Sequence, residues 1–463
     1  MCGGTKVIGG MQGLGRLGAL RRACDKIASR TAGNLAIFAL CPKASPPKSI
    51  RKRALLDSAA NAGVFAMKRV IAVINAGSSS FKFGVFSVAE KAPLEHVANG
   101  AIELLGSTPH ILVHDGHGTK LADYSWSEGY EPSTEHLVSH LVSWIERYAG
   151  SGSLAAVGHR VVFGGMLHTA PIRIGPGVLE QIETLIPVMP LHLPHNLAPI
   201  RAFAVTHPHL PQVACFDTAF HQTIPRMARL FALPRKLTES GIVRYGFHGL
   251  SYEHIAAALP DYDRRAAQGR TIVAHLGSGA SLCALERCRS VDTTMGFSVL
   301  DGLVMGTRSG GLDPGVLLYL LRAKGFDASR LEHLLYEECG LLGVSGLSAD
   351  MRTLLSSDAP QAQEAVDLFC RRVVSEIGRM IVPLGGFDAL VFTGGIGENA
   401  VSVRQRVCAA LQWLGLSFDS DANARGGPRI STRDSRISAW VVPSNENLMI
   451  ARHTYALLDA GEG

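Results

Sequence analysis

Five side chains suited to phosphate chemistry lie beside glycine or at the ends of apolar runs. Arg160 is in "GHRVVFGG", Asp217 closes "VACFD", His248 is in "RYGFHG", Arg308 is in the glycine-dense "MGTRSGGLDP", and Glu446 is in "VPSNENL". Phosphoryl transfer asks little covalent chemistry of a protein. It needs cationic clamps on the moving group, a metal ion, and alignment of the nucleophile with the leaving group. Each residue also has an ordinary reading. A lone arginine pairs on a surface, an aspartate caps the next helix, a histidine is satisfied in a core, and a glutamate is a loop acid. The set argues otherwise. A charge beside a buried glycine turn is costly without a partner, and a ligand would supply one.

Three turns supply the other half of such a site. In "INAGSSSFKFGVF" the apolar run Val70 to Ile74 stops at Asn75-Ala76-Gly77-Ser78-Ser79-Ser80 and resumes at Phe81, with Lys82 between Phe81 and Phe83. One glycine would suffice for a hairpin. Hydroxyls, an amide and an ammonium together suit a polyanion, because backbone N–H groups at a turn form an anion-binding concavity and lysine adds a point charge. This is not a Walker A loop, since no Gly-Lys-Ser/Thr follows. "TIVAHLGSGASLCAL" (271–285) repeats the pattern, and Asn75 and His275 open the two turns 200 positions apart. Such internal similarity predicts two halves with the same opening hairpin, able to grip nucleotide phosphates from both sides. A third glycine-rich turn, "VFTGGIGEN" (391–399), follows another apolar run. Its Gly394-Gly395 would let the backbone pass close to a flat ligand.

The elements that must position these groups alternate between strand and helix patterns. "AVGHRVVFGG" (156–165) and "QVACFDTAF" (212–220) read as strands, and "EHLVSHLVSWIERY" (135–148) as a helix. His136 and His140 are four apart on that helix. Without a glutamate between them they read as surface histidines rather than zinc ligands.

Composition narrows the class. The 463 residues are 47% hydrophobic and 18% charged, which is globular and room enough for two domains. No apolar run reaches the ~18 residues of a membrane span. Nine cysteines include no Cys-x-x-Cys, and they read as reduced cytosolic thiols. The net charge of +6 misleads. Residues 1–66 hold eleven Lys/Arg and two acids, leaving −3 for residues 67–463. The body therefore offers no electrostatic case for nucleic acid. The leader contains a literal G-x-G-x-x-G at Gly13, Gly15 and Gly18, without the preceding strand or following acid of a dinucleotide site. Its arginine-rich, acid-poor character is that of a transit peptide, and "LAIFALC" (35–41) could pass for a short signal core. The simplest expectation is a start at Met67, where the globular pattern begins, with the leader disordered or never made.

With these motifs placed, nearly all of residues 67–463 resembles the acetokinase family, the acetate kinases and related short-chain acyl kinases. "INAGSSSFKF", "FDTAFHQTIP", "RYGFHG", "HLGSGAS", "MGFSVLDGLVMGTRSGGLDP", "GGIGEN" and "NENLMIAR" occur in family order and spacing. The resemblance implies an α/β fold of two duplicated actin-like (ribonuclease H-like) ATPase domains around a nucleotide cleft. Residues 67–216 plus 448–463 would form the first domain, and 217–447 the second, nucleotide-binding one. It implies ATP/ADP as co-substrate, Mg²⁺ (with Mn²⁺ able to substitute), a small carboxylic acid as acceptor, a cytoplasmic homodimer, and no nucleic-acid or membrane partner. The implied reaction is reversible in-line phosphoryl transfer from ATP to acetate. The alternatives are a propionate or butyrate kinase and a catalytically degenerate nucleotide-binding partner protein.

Carried across position by position, Asn75 and Glu446 are the metal-associated residues, and Ser78, Ser79, Ser80 and Lys82 the first phosphate hairpin. Arg160, Asp217, His248 and Arg308 are the catalytic set, with His248 and Arg308 stabilising the transition state. His275, Leu276, Gly277, Ser278 and Gly279 form the second phosphate hairpin. Asp350, Met351, Arg352, Gly395, Ile396, Gly397, Glu398 and Asn399 lie on the adenosine side. Arg160 also contacts the acid, whose methyl group would sit among Val162, Leu191, Phe247 and Val299. The chain departs from the family pattern at Phe163 (His), Leu193 (Asn), Tyr252 (His), Ser278 (Asn), Val299 (Pro) and Gly311 (an acid). These departures cluster near substrate and phosphate and bear on acyl preference.

Overall fold

The computed structural model describes residues 69–77, 80–89, 93–103, 109–126 and 132–459. The basic leader, its glycine pattern, the Met67 start, Ser78 and Ser79 lie outside the described residues. Val64–Gly463 forms one compact unit, and its described part is built on two sheets. The first holds β1 (Val70–Ala76), β2 (Ser80–Ser87), β3 (Glu95–Glu103), β4 (His110–Asp115), β5 (Lys120–Ser125), β6 (Leu154–Val161), β7 (Ile172–Arg173) and β8 (Gln212–Phe216), in the order β5-β4-β3-β2-β1-β6-β8-β7. The second holds β9 (Arg270–Leu276), β10 (Ala280–Glu286), β11 (Arg289–Thr293), β12 (Ala389–Thr393) and β13 (Ser438–Val441), in the order β11-β10-β9-β12-β13. Seven helices matter below: α1 (Thr134–Ala149), α2 (Leu193–Thr206), α3 (Gly249–Tyr262), α4 (Pro314–Ala323), α5 (Pro360–Leu384), α6 (Gly394–Asn399) and α7 (Glu446–Asp459). Among the described residues no helix is long and apolar enough to cross a membrane.

The 200-residue echo is a duplicated sheet. β1 pairs antiparallel with β2 and parallel with β6, and β9 pairs antiparallel with β10 and parallel with β12. Strand for strand, β3-β2-β1-β6-β8 matches β11-β10-β9-β12-β13. The register sets Asn75 opposite Lys82 and His275 opposite Ser281. The last paired residues are Ala76–Phe81 in one hairpin and Leu276–Ala280 in the other, so the first turn has four residues and the second three.

Helices cover both faces of each sheet, which is why β8 and β12 are buried from end to end and apolar apart from Gln212 and Thr393. On α1, Leu137, Val138, Leu141, Val142 and Ile145 recur at helical spacing and pack against one face of the first sheet, and Ser133 caps the helix by accepting from the His136 N–H. Met449, Ile450 and Ala451 of α7 cover the other face. The second sheet lies between α5, through Phe369, Val373 and Ile377, and α3, through Tyr252, Ile255 and Leu259.

Two local expectations need correcting. "GGIGEN" is not an open turn. Helix α6 begins at Gly394 directly after β12, because Gly394 takes φ +77° and turns the chain against Leu276. His140 is not simply a surface residue. It is half-buried, hydrogen-bonded to the Tyr124 hydroxyl and edge-on to Trp126, because α1 packs that side against the outer strands.

The start of α3 constrains the fold most sharply. The Gly249 N–H donates to the Asp217 carbonyl at 2.9 Å, and a Cβ added at Gly249 would sit 2.0 Å from that oxygen. Gly249→Ala is therefore expected to lower stability by about 1–3 kcal/mol through forced backbone displacement, read as a reduced urea midpoint. Two buried histidines make stability depend on pH. His159 lies against Phe203, and burial lowers it to about 3 from 6.5 against a smaller opposing effect of Gln212. His221 is held by Ser290 and the Phe247 carbonyl, and burial lowers it to about 4. The unfolded chain binds these protons more readily, so stability should fall as pH drops from about 6.5 toward 4, by up to ~1.4 kcal/mol per unit for each histidine. Urea midpoints at pH 7.5, 6 and 5 check this, and a flat series would refute it.

Candidate active site

Arg160, near the end of β6, joins residues that the sequence places in three other motifs. Its Nη2 lies 2.5 Å from Asp217 Oδ2, and its Nε donates to Asp217 Oδ1 and Oδ2 at 3.1 and 3.0 Å. Its Nη1 donates to Asn75 Oδ1 at 3.3 Å, and its Nε is 3.8 Å from Glu446 Oε2. The Asp217 side chain is 1% exposed and that of Arg160 is 23%. Burial pushes the Asp217 carboxyl up from its usual value, and Arg160 opposes this. Burial disfavours the Arg160 cation, but Asp217 and Glu446 outweigh it and hold the guanidinium charged. Two carboxylates thus share one cation.

A buried amide fixes the strand ends under this cluster. Asn196 on α2 accepts from the Val162 N–H at 2.9 Å and donates to the Ala76 carbonyl at 2.8 Å. It therefore ties the end of β1 to the end of β6. An asparagine inside a helix gives no sequence signal of such a role.

The second sheet brings up His248, His275 and Arg308. His248 takes φ +58° just before α3, a left-handed conformation uncommon for a non-glycine residue. Its Nδ1 lies 2.8 Å from Ser281 Oγ, and its ring stacks on His275 with centroids 4.3 Å apart. His275 Nδ1 lies 2.8 Å from Ser251 Oγ. Burial, then His275, Arg160 and Arg308, hold His248 well below its ordinary value. Burial and Arg160 lower His275 to about 4. Both rings are therefore neutral near pH 7. Arg308 Nη1 donates to the Val299 carbonyl at 2.8 Å, and among the described residues no carboxylate pairs with this guanidinium. A Cβ added at Gly279 would lie 2.9 Å from Arg308 Nη2 and 3.3 Å from His248 Nε2. The two groups thus converge on the bare backbone of the second hairpin.

Other expected residues fall into three groups. Ser80 and Lys82 stand on β2, with Lys82 exposed and cross-strand from Asn75. Gly277 and Ser278 form the second turn, and the Ser278 carbonyl accepts from the Gly306 N–H at 3.0 Å. Gly306 in turn packs against Ala349, which places the Asp350 segment beside that turn. Gly395, Ile396, Gly397, Glu398 and Asn399 lie on α6, and a polar cavity of about 390 Å³ opens between His275, Gly395, Glu398, Ser444 and Glu446. Leu276, at the end of β9, and Met351, beside Asp350, are buried in the core, so they can offer a ligand only their backbone. Asp350 caps its own short helix and pairs with the exposed Arg352. Val162, Phe247 and Val299 are buried in one cluster, whereas Leu191 is 41% exposed and stands outside it.

The departures are accommodated. Phe163 packs edge-on to Tyr245, with centroids 4.7 Å apart, and Leu193 is fully buried. The Gly311 carbonyl accepts from Arg372 at 3.1 Å.

Sequence reasoning missed two further residues. His192, just before α2, is lowered to about 4 by burial and by Arg308 and Arg160, so it shares their neighbourhood. Fully buried Arg404 donates to the Gly397 and Glu398 carbonyls at 3.0 and 2.7 Å, holding the end of α6. Neither stands in a glycine turn, the one signal that marked the others.

Known proteins show the family and the fold. The family model described as the acetokinase family matches residues 70–452. A curated relative named acetate kinase, from Rhodopseudomonas palustris, is 53% identical over 399 residues, covering 85% of this chain and all of the relative. The crystal structure of Porphyromonas gingivalis acetate kinase matches with a TM-score of 0.74 at 34% identity, covering 84% of this chain and all of that one. That of a propionate kinase from Francisella tularensis matches with a TM-score of 0.77 at 33% identity, covering 84% of this chain and 99% of that one. The two sheets are those of the actin-like ATPase fold, and the chain belongs to the acetokinase family.

Proposed function

We propose that this chain transfers a phosphoryl group reversibly between ATP and acetate, giving acetyl phosphate and ADP. The observation that carries the reading is the convergence of Arg308 and His248 on Gly279, beside the Arg160 cluster. A carboxylate oxygen of acetate attacks the γ-phosphorus as the bond to the ADP oxygen breaks, and no group is transferred to the protein. Among the described residues no carboxylate pairs with Arg308, so its donors are left for the acid and the equatorial phosphoryl oxygens. Neutral His248 adds an N–H. Arg160 orients the acid, and Asp217 holds Arg160. Val162, Phe247 and Val299 wall the acyl methyl, with Leu191 at the rim.

Ser80, Lys82 and the second turn would face the nucleotide's phosphates. The Asp350 segment and α6 face its adenosine. Asn75 and Glu446, both turned toward Arg160, offer an all-oxygen pair for a metal ion. So sparse a set fits magnesium or manganese, which complete their shells with phosphate and water. When bound there, the ion supplies neutralising charge for the polyphosphate. Free cysteines fit a cytoplasmic setting. Helix α4 has no buried residue and exposes Val316, Leu318, Tyr319 and Leu321. A second copy of the chain would cover this face.

Hydroxamate trapping of acyl phosphate with Mg-ATP should give the highest kcat/KM for acetate. One extra methylene discriminates by about 10–200-fold, so propionate should be used less well. ATP binding without product from acetate, propionate or butyrate would overturn the reading in favour of a nucleotide-binding partner protein. Arg308→Ala should lower kcat by about 10²–10³ while leaving the thermal midpoint unchanged. Leu318→Glu with Tyr319→Glu should convert a dimer to a monomer by light scattering, and an unchanged mass would place the interface elsewhere.

A further inference from the structure

His248 reaches the site through Nε2, so its use there depends on which ring nitrogen carries the proton. The neutral imidazole has one donor and one acceptor nitrogen. Its Nδ1 lies 2.8 Å from Ser281 Oγ, and Ser281 Oγ lies 2.5 Å from the Tyr252 hydroxyl. Ser281 and Tyr252 are both fully buried. Among the described residues Ser281 Oγ is the sole hydrogen-bond partner of the Tyr252 hydroxyl. The phenol must therefore donate to Ser281. Ser281 has one hydrogen, and its other side-chain partner is His248 Nδ1. The opposite arrangement, with Nδ1–H donating to Ser281, would leave a buried hydroxyl hydrogen without an acceptor.

We infer that Tyr252 and Ser281 are positioning residues that fix His248 as the Nε2–H tautomer, so that a neutral ring presents a donor to the transferring phosphoryl group. The direction of the chain is Tyr252 O–H to Ser281 Oγ, Ser281 O–H to Nδ1, and Nε2–H toward Gly279 and Arg308. The stacked His275 ring is engaged separately through Ser251.

The inference rests on the proposed phosphoryl transfer for its use, but its first test does not. With histidine-selective ¹⁵N labelling of the full chain, the His248 resonances, assigned by His248→Gln, should show a protonated Nε2 and a bare Nδ1 near pH 7. In Tyr252→Phe, Ser281 Oγ becomes free to accept as well as to donate, and those resonances should move toward a mixture of tautomers. The same variant should lower kcat by about 10–100-fold, the cost typical of removing a partner that fixes a histidine tautomer. KM for ATP should stay within about twofold, a split that general loss of packing would not produce. A bare Nε2 in the parent protein, or resonances unchanged by Tyr252→Phe, would overturn the inference even if the chain makes acetyl phosphate. Absence of acetyl phosphate with the expected spectrum would instead count against the activity alone.

Discussion

A guanidinium held by two carboxylates and an amide is the interaction on which the rest of this site depends. Arg160 lies near the end of β6, Asn75 near the end of β1, Asp217 just past β8, and Glu446 at the first turn of α7. Removing one partner of a buried pair leaves an uncompensated charge and typically costs 3–5 kcal/mol. The strands must therefore end together, at one level, for the charges to meet. Asn196 enforces that level from below by bonding backbone groups of both β1 and the segment leaving β6.

The contrast between the two arginines follows from the same arithmetic. Arg160 is satisfied within the protein and is fixed. Arg308 is bonded to one carbonyl and has donors to spare. A site built of one immobile cation and one underused cation is prepared for an anion that arrives from outside. The neutral histidines fit that scheme, since a charged ring beside two guanidinium groups would repel them. Burial and the arginines act together to keep His192, His248 and His275 unprotonated.

Much of the fold was legible in the sequence because its signals are local. The two hairpins declared themselves by apolar runs around small residues, and their 200-residue spacing announced the duplication that the sheet order displays. Arg160, Asp217, His248 and Arg308 drew notice because they stand near glycine or strand ends, whereas Glu446 opens α7 away from both. What stayed hidden depends on contacts between distant segments. Asn196 reads as an ordinary helical asparagine until Ala76 and Val162 are seen on either side of it. Arg404 looks like a surface cation on a helix, yet it is buried against the carbonyl end of α6. Leu191 matched an apolar pocket by position but lies in the exposed stretch before α2. The α6 turn was misjudged because a run of glycine weakens a helix by propensity, whereas tertiary anchoring of its carbonyls by Arg404 supplies what propensity lacks.

The two acids have a location in common that has mechanical meaning. Asp217 stands where the chain leaves the first sheet after β8. Glu446 stands where it returns to that sheet as α7, two residues beyond Ser444, whose N–H is bonded to Glu398 of α6 at 3.1 Å. Both carboxylates therefore sit at the joints between the halves. If one sheet turned relative to the other about the line through these joints, points on the line would hardly move and points far from it would sweep the largest arcs. Arg160 and the acids would then act as a bearing, keeping its spacing through a cycle of opening and closing, while Arg308 and the hairpin turns travelled.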